Sequence, residues 1–376
     1  QGTSKDITIP MLERWARRKG VDLLGTGDFT HPKWQSELKQ HLEEDGTGIL
    51  RTKTDFPFML QTEISQIYTQ EKGRRVHNIL LAPDFEVMDN ITDTLQRHGR
   101  TDYDGRPIFG ISCPEIVDMM QEIDEAIEII PAHAWTPWYG IFGSRSGFDS
   151  LKEAFQDTTR HIHAIETGMS SDPAMNWRLS QLDGVTLMSN SDLHSHWPWR
   201  MGREANIFDT AMTYKDILRA IRTREGLKGT IEVDPAYGKY HFNGHRACGF
   251  CISPEETKRL DGICPICRKP LTIGVDHRVE ELADRERGYR PRDAIPFRRL
   301  LPLSELISIA LGKGLQTKTV WKMYDGLTEA SSEFDVLLEK PIAELPPIIA
   351  PIIQKNREGG LQVKPGFDGE YGKVEG

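Results

Sequence analysis

The sequence lacks any apolar run near the roughly 18 residues that a membrane-spanning helix needs, and no signal peptide is recognisable at its start. A cytoplasmic, nucleoid-associated protein is therefore expected, with no membrane partner. The chain opens on QGTSKDITIP without Met, so further residues are expected upstream of Gln1. Cysteine is scarce: of five, four fall into two CxxC pairs and Cys113 stands alone. That count and spacing exclude a disulfide framework and point to metal. Positive charge is also in deficit, with a formal net charge of −9. This speaks against a surface that binds nucleic acid nonspecifically all over. No repeat of fixed period appears, which excludes a solenoid.

The charge is uneven, however. Residues 239–300 carry 13 Lys/Arg against 9 Asp/Glu, a net of +4 that leaves −13 for the rest. A basic face on an acidic protein is the expectation. At 376 residues the chain is long enough for two or three domains. Up to about residue 236, strand-like and helix-like stretches alternate. Residues 6–20 read as a helix closed by Gly20, and VDLLGTGDF, PFMLQTEIS, RVHNILLAPDFE, PAHAWTPW, HIHAIETG and GVTLMSNSD read as strands running into polar loops. CPEIVDMMQEIDEAIEII, SLKEAFQ and TYKDILRAIRTRE read as helices. This alternation, with acids and histidines at strand ends, predicts an α/β barrel whose strand C-termini line one site. Beyond residue 276 the chain turns basic and then helical, and its tail, EGGLQVKPGFDGEYGKVEG, reads as loop.

Two clusters carry chemistry. Cys248, Cys251, Cys264 and Cys267 stand as CxxC, twelve residues, CxxC. Four thiolates at this spacing suit a closed, structural tetrahedral Zn²⁺. Such an ion would stabilise a segment too small to build its own core. The second cluster is spread over strand ends: Asp28, His31, Glu63, His77, His133, Glu166, Asp192, His194 and His196. Each alone has an ordinary structural explanation; their recurrence at strand ends does not. Imidazole mixed with carboxylate suits Zn²⁺, Mn²⁺ or Fe²⁺ better than Mg²⁺ or Ca²⁺, and several such ligands can hold two or three ions for phosphoester hydrolysis. His161 and His163 share a strand face in HIHAIE, but they lie early in it and are expected away from the site.

The order TGD…H, TE, H-x-x-L-L-A, A-H, E and S-D-x-H resembles the PHP (polymerase and histidinol phosphatase) phosphoesterases over about residues 1–236. Longer strings, GTGDFTHPKW, AHAWTPWYGIFGSRSGFDSL, IETGMSSDPAMNWRLS, NSDLHSHWPWRMGREAN, YHFNGHRACGFC and PGFDGEYGKV, resemble the endonuclease Q family along most of the chain. The resemblance implies a distorted seven-stranded α/β PHP barrel over 1–237, a zinc-binding domain over 238–275 and a basic, helical C-terminal domain over 276–376. It implies a DNA repair endonuclease that nicks 5′ of uracil, hypoxanthine, xanthine and abasic sites. The ligands it assigns to two or three catalytic divalent ions (Zn²⁺, Mn²⁺, Fe²⁺ or Mg²⁺) are His31, Glu63, His77, His133, Asp192 and His194. Asp28, Glu166 and Asp192 are the expected catalytic acids. The family's opening H-x-H is absent, and the sequence begins on what looks like the segment just after it; that pair is expected upstream of Gln1.

Base extrusion favours damaged or mispaired bases, which are the least costly to flip. Trp135, Trp138, Tyr139, Phe142 and Arg145 follow His133 closely and are expected to contact substrate or to pack the barrel rim. Trp197 and Trp199 either wall the site or meet DNA. RERGYRPRDAIPFRR, with six Arg and two acids, is expected to track the phosphate backbone or to form a solvated linker. A sliding clamp is an open partner. Two other readings are a phosphatase of small phosphate monoesters and a catalytically inert protein that binds lesion DNA.

Overall fold

The computed structural model describes residues 7–102 and 105–375. Its centre is a long antiparallel pair, Pro57–Gln70 with Lys72–Ala82, turned on Glu71, whose φ of 61° is left-handed. Both strands are rich in branched apolar residues, and one end of each is buried on both faces, as a strand covered on two sides requires. Leu24–Gly25 and Ile108–Phe109 run parallel to Pro57–Gln70, and Glu128–Pro131 runs antiparallel to Lys72–Ala82. The series continues through strand pairing and single hydrogen bonds. Ala134 N donates to Glu166 O, Ala164–Glu166 pairs in parallel with Thr186–Met188, and Ser189 Oγ donates to Ile231 O. There Leu227–Glu232 lies between Ala205–Phe208 and Phe297–Arg299. Helices pack outside, and buried residues from Ile9 to Ile353 form one large cluster. The result is a mixed α/β structure.

Helix ends obey local chemistry. Ile9–Lys19 is capped by the Thr8 side chain and stops at Gly20, φ 89°. Cys113–Ile123 opens with a capping box, Ser112 with Glu115. This helix is shorter than the sequence suggested. At Asp124 the side chain accepts from Ala126 N, a local turn that competes with the helix, and the β-branched residues that follow enter the strand Glu128–Pro131. The tail also differs from expectation: Gln362–Lys364 pairs with Lys373–Glu375, and Phe367 bridges to Phe242. His161 ends a 3-10 helix rather than standing in a strand, and His163 lies beyond it. His163 Nδ1 lies 3.0 Å from Glu128, which also takes Arg222 at 2.7 Å.

Among the described residues, no helix is long and apolar enough to cross a membrane.

Candidate active site

Strand register builds the site. Ser65 faces His77 across the central pair, so Glu63, two residues away on the same face, sits diagonal to His77. His77 Nδ1 lies 3.0 Å from Glu63 Oε1. His133 follows Glu128–Pro131 and reaches the same point: its Nε2 is 2.9 Å from His77 Nδ1 and 3.7 Å from Glu63 Oε1. The backbone N of His133 donates to Glu166 Oε2 at 2.6 Å. Gly168 is required here. Its φ is +61°, and a Cβ would stand 2.9 Å from that of His133.

Glu63, His77 and His133 can each aim a ligand atom at one shared point, all within 4.8 Å. Two imidazoles and one carboxylate converging in this way are a donor set that fits a divalent cation. Around them Asp28, His31, Glu166, Asp192 and His194 border one open cavity. Asp28 (φ 28°), His133 (φ 31°) and Asp192 (φ 43°) are all left-handed non-glycine residues. Strain of this kind, about 1–3 kcal/mol per residue, concentrates where side-chain aim matters.

The charges are arranged unevenly. Burial opposes ionisation of Glu63, but His77, His133 and Arg106 hold its carboxyl well below the usual range. Burial pushes His77 down to about 4, even against Glu63. Burial also disfavours charge on His133, yet Glu166, Glu63 and Asp192 lift it to about 9. Asp28 is raised by burial and by the Glu63 charge. Two neighbouring imidazoles thus take opposite protonation preferences, a pattern that clusters at functional sites.

A second cluster lies in the Cys region. The hairpin Asn243–His245 with Phe250–Ile252 leads out through Cys248. His245, Cys248, Cys264 and Cys267 offer ligand atoms within 4.8 Å of one another, with Cys267 Sγ 3.4 Å from His245 Nδ1. Cys251, expected as the fourth ligand, is not in this group. It pairs with Gly244, whereas His245 pairs with Phe250. Alternation along a strand therefore points Cys251 to the face opposite His245. A Cys₃His set still suits a structural zinc ion.

Three comparisons bear on this geometry. Residues 302–360 match the family model described as the MJ0043 C-terminal domain. The chain is 32% identical over 252 residues, 64% of its length, to the uncharacterised protein MJ0043 of Methanocaldococcus jannaschii, of which it spans only 31%. It is 27% identical to YqxK of Bacillus subtilis across 99% of the chain and 93% of that protein. The crystal structure of the lesion-specific endonuclease PfuEndoQ from Pyrococcus furiosus superposes with a TM-score of 0.88 at 32% identity, covering 99% of this chain and 91% of that one. The chain belongs to the endonuclease Q family. A second endonuclease Q structure, also at TM-score 0.88 and 32% identity, covers 99% of this chain and 92% of that one. It holds a 27-mer duplex with an abasic lesion at the active site.

In this endonuclease Q chain the expected site residues do not all converge equally. Glu63, His77 and His133 form the tight group. His31 starts the helix Pro32–His41 and stays at the cavity wall. His194 Nδ1 is 2.8 Å from the Asp192 backbone oxygen and 3.7 Å from Asp192 Oδ1. The expected substrate residues also separate. Trp135 is fully buried, donates its Nε1 to Asn176 at 2.8 Å and packs on Phe142; it is core, because its indole N–H has a partner inside the fold. Tyr139 stacks on His77 with centroids 4.3 Å apart. Trp138 is half-buried against Tyr240, and Arg145 is exposed. His196 is buried, stacked on Trp15 and tilted against Trp197.

Sequence reading missed two residues. Arg106 pairs through Nε with Glu63 at 2.6 Å and through Nη2 with Asp192 at 3.0 Å. Glu204 borders the cavity, and both its carboxylate oxygens are buried without a hydrogen-bond partner among the described residues; burial, with nearby Glu232, Glu166 and Asp192, raises it well above the usual range. A search for ligand-type residues at strand ends passes over an Arg. Glu204 stood inside NSDLHSHWPWRMGREAN, and its separation from Asp192 hid it.

Proposed function

We infer that this protein is a metal-dependent DNA repair endonuclease that hydrolyses the phosphodiester 5′ of deaminated bases (uracil, hypoxanthine, xanthine) and of abasic sites. The observation that carries this reading is the convergence of Glu63, His77 and His133 on one point, with Asp192 across the same cavity. The lesion-specific activity of PfuEndoQ and the abasic duplex held in the second endonuclease Q structure support it.

In this reading residues 1–237 are a distorted PHP barrel, 238–275 a zinc-binding domain and 276–376 a basic helical domain. Glu63, His77, His133, Asp192 and His194, with His31 at the rim, hold two or three divalent ions. Such ions supply positive charge for the phosphate and a hydroxide nucleophile near neutral pH. Glu166 fixes His133 from behind through the backbone N and through Nδ1, 3.5 Å away, which sets how the imidazole is aimed. Tyr139 covers the other face of His77 and keeps its ring from rotating. In this reading the half-buried Trp138 and the exposed Arg145 contact the substrate strand. His245, Cys248, Cys264 and Cys267 hold a structural zinc ion, and Arg290 and Arg292 meet the duplex backbone, whereas Arg285 and Arg287 pair with Asp183 and Asp276 of the chain itself.

Asp192→Ala tests this reading. It should abolish nicking of an abasic-site duplex while duplex affinity changes less than about threefold, because it removes a ligand rather than a docking surface. Nicking at the wild-type rate would remove Asp192 from the mechanism.

A further inference from the structure

Arg106 stands where two carboxylates of the site meet. Strand pairing puts it there: Ile108 lies opposite Ser65, and Ser65 N donates to Pro107 O. Gly105 immediately before it has a φ of 104°, a conformation that only glycine adopts without strain, and this bend directs the Arg106 side chain back over Glu63. The approach is ionic rather than a built hydrogen bond. Nε lies 2.6 Å from Glu63 Oε1, yet both atoms are buried without an aligned hydrogen-bond partner. Nη2 does donate to Asp192 Oδ1, at 3.0 Å. Asp28 contributes further negative charge. The side chain keeps 17% of its surface exposed, and that surface opens into the cavity bordered by Asp28, Asp192 and His194.

A guanidinium bridging two carboxylates occupies the place that divalent ions seek, since both want the same oxygens. It also has what a phosphodiester needs. Its planar donors match two phosphate oxygens at once, which a lysine ammonium cannot do.

We propose that Arg106 is a substrate-contacting residue that serves two partners in turn, Glu63 and Asp192 in the metal-free protein and the non-bridging oxygens of the scissile phosphate once cations take those carboxylates. This rests on the endonuclease reading above. The backbone of Arg106 stays tethered to the strand that carries Glu63, so the released guanidinium remains beside the reacting phosphate. There it stabilises charge that grows on those oxygens as the bond to the leaving oxygen breaks. No new bond is made to Arg106, and no proton leaves it.

Two arms test the proposal on the full chain. In the first, Mn²⁺ alone is titrated into wild-type, Arg106→Gln and Arg106→Lys proteins. Arg106→Gln should bind Mn²⁺ several-fold more tightly, because its competitor is gone, and Arg106→Lys should lie between. Weaker or unchanged Mn²⁺ binding by Arg106→Gln would overturn the exchange. In the second, single-turnover nicking of an abasic-site duplex is followed at saturating Mn²⁺. Arg106→Gln should lose about 10²-fold in rate, the scale of removing one preorganised donor, with duplex affinity little changed. Arg106→Lys should recover only part of that loss. Full recovery by Lys would overturn bidentate contact, and a wild-type rate for Arg106→Gln would overturn any contact. If Arg106→Gln fails to fold, Arg106→Lys alone decides each arm. A wild-type protein that nicks no lesion duplex defeats the endonuclease reading, whereas the Mn²⁺ arm still decides whether Arg106 competes with cations for Glu63 and Asp192.

Discussion

At Glu63, burial and ion pairing pull in opposite directions, and the partners win. At Glu232 they do not. Its side chain is fully buried, receiving Thr230 Oγ1 at 2.6 Å and Thr167 Oγ1 at 2.9 Å, and burial pushes it up to about 8. A carboxyl raised in the folded state binds protons that the unfolded chain has already released. Its stabilising effect is therefore complete below the ordinary glutamate range and is lost as pH rises through about 8. Melting temperature measured at pH 5, 7 and 9 should fall over this window, and Glu232→Gln should flatten the fall. An equal fall in both proteins would show that other groups set the pH dependence. The Cys cluster offers a second test at this scale. His245→Ala and Cys267→Ser should each lower zinc content by elemental analysis, whereas Cys251→Ser should keep it. The reverse pattern for His245 and Cys251 would restore the four-cysteine set.

Between elements, the loop after Thr186–Met188 that carries Asp192 and His194 is held from behind. Lys19, the last residue of the helix Ile9–Lys19, donates to Pro198 O at 2.9 Å and pairs with Glu333 at 2.6 Å; these two side chains are 1% and 0% exposed. Glu333 also accepts from Tyr324 OH and Leu303 N, both at 2.8 Å. Trp197 and Trp199 lie parallel, 5.1 Å apart, and both meet Trp321 at 5.6 Å. The two tryptophans thus join the loop that carries Asp192 and His194 to the segment that matches the MJ0043 C-terminal domain. Breaking a buried pair from one side leaves a bare charge. Lys19→Met should cost about 3–5 kcal/mol in urea unfolding, and Lys19→Met with Glu333→Gln should recover part of it. A cost under about 1 kcal/mol for the single change would mean that water reaches Glu333. The helices here were legible because caps and apolar spacing are local signals. The Lys19–Glu333 pair was not, because 314 residues separate its members.

Across the molecule, the sequence disclosed the order of the site residues and the strands that carry them. Glu63 and His77 lie on strands that were read correctly, whereas His133 follows Glu128–Pro131, most of which reads in the sequence as the end of a helix; register then brings the three together. What stayed hidden depends on tertiary contact. Arg106 takes its meaning from Glu63 and Asp192, Glu204 from a buried carboxylate without a hydrogen-bond partner among the described residues, and His245 from the hairpin that turns Cys251 away. Trp135 looked like a substrate residue because exposure is invisible in a string of letters. The tail looked like loop because its hairpin partner is itself short and Gly-flanked. The most direct test of the whole account is nicking of matched duplexes bearing uracil, hypoxanthine, xanthine, an abasic site or no lesion, with Mn²⁺ or Mg²⁺ present and a phosphate monoester as a parallel substrate. The account expects one nick 5′ of the lesion, with 3′-hydroxyl and 5′-phosphate ends, and an untouched normal duplex. Rapid monoester hydrolysis with every lesion duplex left intact would contradict it.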